Sequence, residues 1–409
     1  MSAKITVIAD GRSPTARSWI AHLLHLGYEV SLVSSYYFDP IPGVSRSTVL
    51  PLALSRFNTR GGAASATSDS PGYSARLKQM ARGGLVPLYR KLRTLIGPLT
   101  IRQHAKAYRA FLAEAQPDLV HALRIPYEGM LGSYTPPGLP LIVATWGNDL
   151  TLHADRSPWM RAATRRCLQR ADGLTSDTQR DIRLAHEWGL RPNAPTLKVP
   201  GSGGLDLAAI DAIPQEAFDP NDFDLPQDAA WVVNPRGIRP DSVHQDVFFA
   251  AIPKVLAEAP ETVFICPAMA GEQQALHWIE KWGIADHTVL LPKLTQTQLF
   301  ALFKRCSVFV SPSSHDGTPN SLLEALACGC YPVAGQIESL AEWITPGING
   351  TLVDPRDPAA LAEGILAALR SPSLRQKAAD VNRAIIQTQA ADQATLPAID
   401  TFYKRFLTS

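Results

Sequence analysis

Short apolar runs alternate along the chain with longer segments in which apolar residues recur at helical spacing. In the first half, the apolar runs predict strands over residues 5–9, 29–34, 118–121 and 139–145. Between the first two runs, Trp19, Ile20, Leu23 and Leu24 show the i, i+3, i+4 spacing of a helix, and Gly27 is placed to end it. This alternation predicts an α/β protein with parallel sheets.

The second half of the chain repeats the same rhythm. Apolar runs predict strands over 229–234, 263–267, 288–291 and 308–311. Helical spacing predicts helices near 245–258, 272–282, 295–305 and 318–328, and a further helix over 396–407. One architecture repeated in tandem predicts two Rossmann-like domains rather than a single large sheet.

The domain limits follow from changes in composition. Residues 206–228 are rich in Asp, Pro and Ala, which predicts an interdomain linker between an N-terminal domain (1–205) and a C-terminal domain (229–390). The last residues, 391–409, are predicted as a helix that is a candidate to pack back on the N-terminal domain. A Gly- and Ser-rich segment, 56–73, is predicted as a mobile loop.

Composition narrows the class of protein. A net charge of +2 over 409 residues gives no global reason to expect nucleic acid as a partner. No apolar window is long enough to span a bilayer, and the apolar run after Met1 is too short for a signal peptide. The five cysteines lack the spacing of a metal site. We therefore expect a cytoplasmic protein with reduced thiols and no bound metal.

Residues 76–109 form a basic stretch with interleaved apolar positions and no acidic residue. Such a stretch suits a surface that lies on anionic lipid, because each cation near the membrane adds about 1 kcal/mol. The alternative is a solvated helix face over the N-terminal core. Nucleic acid is a weaker interpretation, since no aromatic stacking platform accompanies the charge.

The strongest motif runs from Val308 to Gly329. It consists of a strand, a Gly- and Pro-containing loop and a helix, with Thr318 or Asn320 as the predicted N-cap. Such a loop directs backbone N–H groups and the positive end of a helix at the carboxyl edge of a parallel sheet, which predicts an anion site.

Two carboxylates accompany this motif. Asp316 lies on the loop and Glu324 lies about one turn into the helix. Carboxylates so placed can accept hydrogen bonds from different hydroxyls of one polyhydroxylated ligand. The alternative is an acid near a helix N-terminus and an unrelated surface glutamate.

The motif resembles the E-x7-E motif of retaining glycosyltransferases of family four, with Asp316 in the first acidic position and Glu324 in the second. The residues that follow the motif also match that family, at positions 331–335, 338, 342–344, 347, 349–350 and 352–355. The resemblance implies the GT-B fold, two Rossmann-like domains facing across a cleft. It implies that Glu324 binds the ribose of a nucleotide. It further implies that Asp316, with Gly317, Thr318, Pro319, Asn320 and Ser321, holds the donor sugar, and it makes Asp316 a catalytic candidate. Because Asp is one methylene shorter than Glu, we expect the sugar to sit differently or to be a different sugar.

The start of the predicted donor domain, 231–237, resembles the family's strand after which an arginine meets the donor diphosphate. Arg236 is therefore the candidate for catalysis and phosphate binding, and Arg239 is the second candidate, since a guanidinium fork bonds two phosphate oxygens at once. The alternative is a solvated loop arginine. The family's lysine five residues later is replaced by Asp241, so Arg239 and His244 are the nearby substitutes.

The N-terminal domain departs more from the family. Residues 10–18 replace its double-glycine loop but still form a short polar loop before a helix, which makes Arg12 and Arg17 candidates for phosphate or acceptor binding. His121 matches the first histidine of the family's His-x-His strand end and is a catalytic candidate or a structural residue, with Leu123 in the second position. After the next strand, Asn148 and Asp149 are acceptor-binding candidates, although Asp149 also suits a helix cap.

The resemblance implies a metal-independent, cofactor-independent enzyme of glycan biosynthesis. It would move a sugar from a nucleotide-diphosphate sugar to a hydroxyl acceptor, lipid-linked or a glycan precursor, with retention at the anomeric carbon. The basic stretch would then place it peripherally at the inner face of the membrane.

Two alternatives to this function stay open. One is a phosphorylase or nucleotide-sugar epimerase on the same fold. The other is a non-catalytic relative that binds sugar nucleotides or glycans, which the missing lysine and second histidine suggest.

Overall fold

The computed structural model describes residues 2–57 and 93–407. The predicted loop beyond residue 57 and the first part of the basic stretch, 76–92, lie outside the described residues. The chain divides into two compact units. Unit 1 contains the described residues of 1–177, 181–203 and 396–409, and unit 2 contains 178–180 and 204–395.

Unit 1 is built on a parallel sheet of seven strands. In chain order they are β1 (Lys4–Ala9), β2 (Glu29–Ser34), β3 (Arg46–Val49), β4 (Leu119–Ala122), β5 (Leu141–Thr145), β6 (Gly173–Ser176) and β7 (Thr196–Lys198). The spatial order is β3-β2-β1-β4-β5-β6-β7, so the chain reverses direction across the sheet between β1 and β4. Ligands in open α/β sheets bind outside the carboxyl ends of the strands at such a switch point.

Helices cover both faces of this sheet. Their bounds are Pro14–His25, Ala105–Ala115, Met130–Gly132, Pro158–Arg170 and Gln179–Glu187. The predicted end of the first helix is confirmed, because Gly27 follows its C-cap residue with φ +85°. The last helix, Asp392–Leu407, contributes its residues from Leu396 onward to unit 1, where Phe402 and Tyr403 join the buried cluster around Trp19.

Unit 2 is built on a parallel sheet of six strands. They are β8 (Ala230–Val233), β9 (Thr262–Cys266), β10 (Thr288–Leu290), β11 (Val308–Ser311), β12 (Tyr331–Gly335) and β13 (Thr351–Val353). The spatial order is β10-β9-β8-β11-β12-β13, which is the 3-2-1-4-5-6 order of a Rossmann sheet. The switch point of unit 2 therefore lies between β8 and β11.

Two buried apolar clusters, one on each face, enclose the sheet of unit 2. The helices are Leu207–Ala212, Gln245–Leu256, Gln273–Trp282, Gln296–Phe303, Asn320–Ala327, Glu338–Ala341, Pro358–Arg370 and Pro372–Gln389. None of the helices within the described residues has both the length and the apolar character needed to cross a membrane.

The segment 206–228, predicted as a linker, belongs to unit 2. Phe218 and Leu225 are 1% and 4% exposed, and the Phe218 ring meets Trp231 edge-on with 6.3 Å between ring centroids. Apolar side chains such as these anchor the segment to the core of unit 2, while most of its other residues are exposed.

Candidate functional site

Two loops of unit 2 meet at its switch point. Arg236 follows β8 and Asp316 follows β11, and because these strands are parallel neighbours, both residues lie at the same edge of the sheet. Arg236 Nη2 donates to Asp316 Oδ2, and Nη1 donates to Ser321 Oγ at 3.0 Å. The two charged side chains are 5% and 11% exposed. One guanidinium thus joins the β8 loop, the β11 loop and the first turn of the helix Asn320–Ala327.

The guanidinium of Arg236 is only partly satisfied. Its Nε is buried and makes no hydrogen bond with the described residues. Leaving a buried donor unpaired costs about 1–3 kcal/mol, so such groups in native structures call for an explanation. An arginine held at this cost, at the edge of the sheet where ligands bind, is a candidate functional residue.

Asp316 makes several hydrogen bonds within unit 2. Its Oδ2 also accepts from Ser313 Oγ at 3.3 Å, and its Oδ1 accepts from Gly317 N at 3.1 Å. Its main-chain oxygen accepts from Ser339 Oγ at 2.8 Å. These contacts fix both the backbone and the carboxylate of the loop.

The helix Asn320–Ala327 begins without a side-chain cap. The predicted caps, Thr318 and Asn320, are wrong: Pro319 occupies the N-cap position, which carries no side-chain hydrogen bond. Thr318 Oγ1 instead accepts from Trp343 Nε1 at 2.8 Å. No acidic residue lies in the first turn. The positive end of the helix dipole is therefore left without a neighbouring carboxylate of its own helix, which favours an anion there.

Glu324 lies on the same helix. Gln296 Nε2 donates to its Oε1 at 2.9 Å, while its Oε2 accepts no hydrogen bond from the described residues. Burial raises the pKa of Glu324, and the contact with Gln296 and the charge of Arg236 act in the opposite direction. The carboxylate is partly exposed, so one oxygen is available to accept from a ligand hydroxyl.

Two buried amides hold the β8 loop. Asn234 Nδ2 donates to Gln245 Oε1 at 2.7 Å, and Gln245 Nε2 donates to the main-chain oxygen of Gly237 at 2.8 Å. Arg239 and Asp241 lie further along this loop and are exposed. Four residues that hold the loops of this site were not predicted individually from the sequence: Asn234, Gln245, Ser313 and Ser339. For Asn234, a polar residue directly after a buried strand was the available signal.

In unit 1, Arg12 and Arg17 lie on the loop after β1. Arg12 is paired with both oxygens of Asp10, each at 3.0 Å, and its guanidinium carbon lies 3.5 Å from the centroid of the Tyr36 ring. Arg17 donates to the main-chain oxygens of Gly11 and Asp39 at 2.8 and 2.7 Å. Arg17 thus fixes the loop, whereas Arg12 lies at the carboxyl edge of β1 with its side chain 16% exposed.

Asp149 lies fully buried after β5. Its Oδ1 accepts from Arg124 Nε at 2.8 Å, and its Oδ2 accepts from the backbone of Trp146 at 3.1 Å and of Ile125 at 3.3 Å. Burial raises the pKa of Asp149, which the charge of Arg124 offsets in part. The carboxylate joins the loops after β4 and β5 and is not exposed to an acceptor.

The exposed group beside Asp149 is Arg124, whose side chain is 41% exposed. It lies two residues after β4, next to β1 at the switch point of unit 1, and was not predicted as a site residue from the sequence. Asn148 Oδ1 is buried and accepts no hydrogen bond from the described residues. Arg124 and Asn148 are therefore the groups of these loops best placed to meet a ligand.

His121 lies on β4 inside unit 1 and is 0% exposed. Its Nδ1 is 2.6 Å from Tyr403 Oη and its Nε2 is 3.2 Å from Thr175 Oγ1. Trp19 Nε1 donates to the same tyrosine oxygen at 3.0 Å. Burial lowers the pKa of His121 from 6.5 to about 3. With both ring nitrogens engaged inside the core, we propose that His121 fixes the last helix rather than contacts substrate.

The burial of His121 predicts acid sensitivity. In the folded chain the ring stays neutral down to about pH 3, whereas in the unfolded chain it takes a proton below 6.5. Stability contributed by this residue is thus present above pH 6.5 and is lost as the pH falls. Lowering the pH from 8 to 5 is expected to cost wild type about 2 kcal/mol of unfolding free energy that His121→Gln does not lose.

The measurement is denaturant unfolding of both proteins at the two pH values. Tyr403→Phe is the control, because it removes a hydroxyl from the same cluster but keeps the histidine and should keep the pH dependence. Equal pH dependence in wild type and His121→Gln would contradict a neutral buried ring.

No group of three or more His, Cys, Asp or Glu residues is arranged to hold a metal ion in the part of the chain that the structure describes.

Comparison with known proteins assigns both halves of the chain. Residues 10–201 match the family model described as "Glycosyl transferase 4-like domain", and residues 240–384 match "Glycosyl transferases group 1". A D-inositol 3-phosphate glycosyltransferase from Salinispora arenicola is 32% identical over 119 residues, which is 28% of this chain and 27% of the relative. The serotype-specific mannosyltransferase WbdA of Escherichia coli is 26% identical over 195 residues, 46% of this chain and 23% of the relative. The matched segments thus span about a quarter of each of these relatives.

Solved structures extend the likeness to the full chain. Sucrose-phosphate synthase from Thermosynechococcus elongatus has a TM-score of 0.74 at 16% identity and covers 99% of both chains. Anabaena Alr3699/HepE in complex with UDP and glucose has a TM-score of 0.69 at 16% identity and covers 98% of this chain and 100% of that one. The fold is GT-B, as predicted. With one glycosyltransferase model matched to each half, the chain belongs to the group 1 glycosyltransferases of the family-four type.

Proposed function

We propose that this chain transfers a sugar from a nucleotide-diphosphate sugar to a hydroxyl acceptor and retains the configuration of the anomeric carbon. The observation that carries the proposal is the junction of Arg236, Asp316 and Ser321 at the switch point between β8 and β11. In a sheet of this strand order, nucleotides bind at the switch point.

Arg236 is the proposed ligand of the donor diphosphate. As the bond from the anomeric carbon to the diphosphate breaks, negative charge grows on the leaving phosphate oxygens. A guanidinium already fixed by protein contacts, beside a helix N-terminus, stabilises that charge without reorganising. Arg239 is the second candidate for this diphosphate. The backbone of residues 317–321 and the hydroxyl of Ser321 are the proposed contacts to the donor sugar.

Glu324 is the proposed ligand of the ribose. Its Oε1 is held by Gln296, and its Oε2 is placed to accept from a ribose hydroxyl. The helix that carries Glu324 also begins beside Arg236, so a nucleoside and its diphosphate can be held by one element.

The leaving diphosphate is the proposed acceptor of the proton from the attacking hydroxyl, on the same face of the sugar. This step needs no protein base, which accords with the burial of His121. The charges of the diphosphate are met by Arg236 and the helix N-terminus, so we propose that no metal ion or other cofactor is required. Activity is expected to be unchanged in excess chelator.

The acceptor is proposed to bind at the carboxyl edge of unit 1 through Arg12, Arg124 and Asn148. In the described part of the basic stretch, Leu95 and Leu99 are each 50% exposed, and Arg102 and Lys106 are exposed nearby. We propose that this surface rests on anionic lipid at the cytoplasmic face of a membrane and that the acceptor is lipid-linked.

Vesicle co-sedimentation tests the membrane proposal. The chain should bind phosphatidylglycerol-containing vesicles and not pure phosphatidylcholine, and Leu95→Ser with Leu99→Ser should weaken binding. Trp282→Ser is the control, since Trp282 is an exposed aromatic residue of unit 2. Binding that does not depend on anionic lipid would contradict the proposal.

The experiment for the proposed function begins with thermal unfolding in the presence of uridine, guanosine, adenosine and thymidine diphosphates. One base class should raise the melting temperature, since a ligand that binds only the folded state stabilises it. UDP is the first choice, because the HepE structure contains it. The sugar nucleotides of that class are then assayed for transfer to a hydroxyl acceptor, with the anomeric configuration of the product read by NMR.

Other outcomes identify the alternatives. Release of sugar 1-phosphate on addition of phosphate would indicate a phosphorylase, and conversion of the donor without acceptor would indicate an epimerase. Tight nucleotide binding without turnover of any sugar nucleotide would indicate a non-catalytic relative.

A further inference from the structure

We infer that Asp316 is a positioning residue, whose carboxylate fixes the diphosphate-binding arginine, Arg236, instead of binding the donor sugar. The inference rests on the proposed function and assigns the first acidic position of the motif a specific task in this chain.

The contacts of Asp316 leave little capacity for a sugar. A carboxylate offers about four lone-pair directions. Three are taken by Arg236 Nη2, Ser313 Oγ and Gly317 N, and the side chain is 11% exposed. A sugar hydroxyl would have to compete with a buried guanidinium, whose bond to a carboxylate is stronger than a neutral hydrogen bond.

The same contacts determine the orientation of Arg236. A guanidinium is planar, so holding both terminal nitrogens fixes the whole group. Asp316 holds Nη2 from the β11 loop and Ser321 holds Nη1 from the helix Asn320–Ala327. A guanidinium fixed from two elements is preorganised for one phosphate position, which is what stabilisation of a developing charge requires.

The loop that carries Asp316 is itself fixed. Ser311 Oγ and Ser313 Oγ are 3.0 Å apart and buried, and Ser339 Oγ holds the main-chain oxygen of Asp316. At the end of β12, a Cβ on Gly335 would lie 2.1 Å from the main-chain oxygen of Ser313, so the two backbones are in close contact. The loop is therefore held closely against β12, and we expect a glutamate at position 316 to displace the guanidinium by its extra methylene.

A double-mutant cycle tests the inference in the full chain, with the nucleotide sugar that the thermal-unfolding and transfer assays select as the donor. Asp316→Asn is expected to lower kcat about 10- to 100-fold with a smaller change in the donor KM. In an Arg236→Gln background, the same change is expected to alter kcat by less than about twofold, because Asp316 acts through the arginine.

Losses that multiply in the double variant would overturn the inference, because they would mean that Asp316 contacts the donor independently. Asp316→Asn combined with Glu324→Ala is the matched control, and there the losses should multiply. If Arg236→Gln does not fold, Ser313→Ala is the second test. It removes one contact of Asp316 and should lower kcat about 3- to 10-fold without weakening nucleotide binding.

Failure of the proposed function gives a different result. A wild-type chain that neither binds nucleotides nor transfers sugar would remove the function itself, whereas an active chain with multiplicative losses would remove only the positioning role of Asp316.

Discussion

Arg236→Ala is expected to lower kcat for sugar transfer by about two to three orders of magnitude. The change removes a guanidinium that is 5% exposed and fixed by Asp316 and Ser321 at the edge of the sheet. Water that takes the place of a prefixed guanidinium would have to reorganise as charge develops in the transition state. The loss should therefore fall on turnover as well as on binding of the nucleotide sugar. Steady-state kinetics with the nucleotide sugar measures both.

Two further variants make this result specific. Arg236→Lys keeps the charge but loses the planar fork, and should recover only part of the rate. Arg239→Ala removes an exposed arginine of the same loop and should cost less than about tenfold. An unchanged rate in a folded Arg236→Ala protein would remove this residue from the site.

Glu324→Ala is expected to weaken binding of the nucleoside diphosphate about 10- to 100-fold. The carboxylate is the proposed acceptor of ribose hydroxyl hydrogen bonds, and bonds to a charged group contribute about 1.5–3 kcal/mol each. Calorimetric titration measures the affinity. The wild-type chain should also bind the 2′-deoxy or 3′-deoxy nucleotide more weakly, and the variant should lose that discrimination.

Gln296→Ala is the control for Glu324. It removes the protein partner of Oε1 but leaves the carboxylate, so its effect on affinity should be small. Equal affinity of Glu324→Ala and wild type would show that the ribose is bound elsewhere.

Much of the fold follows from local pattern. The predicted strands 5–9, 29–34 and 308–311 correspond to β1, β2 and β11, because each is a largely buried run that contains β-branched residues and is bounded by turn residues. The strands β3, β6 and β7 were not predicted. Each has only three or four residues, some of them polar, which is too short a segment to show a strand pattern. In β12, Pro332 lies inside a central strand, where proline is rarely found, which hides it from pattern analysis.

In the candidate site, too, local motifs were predicted from the sequence and long-range contacts were not. Arg236, Asp316 and Glu324 were predicted because each lies in a recognisable motif. Their mutual contacts were not, since Arg236 and Asp316 are 80 positions apart and meet only because β8 and β11 are neighbours. Composition also did not show that Phe218 and Leu225, within the predicted linker 206–228, are buried in the core of unit 2.

His121 shows the limit of residue-by-residue inference. It matches a family position, but its partner Tyr403 lies 282 positions away on the last helix. The contact that engages its ring therefore depends on how that helix packs, which the sequence pattern alone does not specify. The same holds for Asp149, whose carboxylate is engaged by Arg124 and by the backbone of two loops. These contacts too depend on packing that the sequence pattern does not specify.

The most direct test of the central claim is a crystal structure of the chain with the nucleoside diphosphate that stabilises it. We predict the diphosphate outside the carboxyl ends of β8 and β11, within about 3 Å of a guanidinium nitrogen of Arg236, and a ribose hydroxyl at a similar distance from Glu324. A nucleotide bound in unit 1, or in unit 2 away from both residues, would contradict the account.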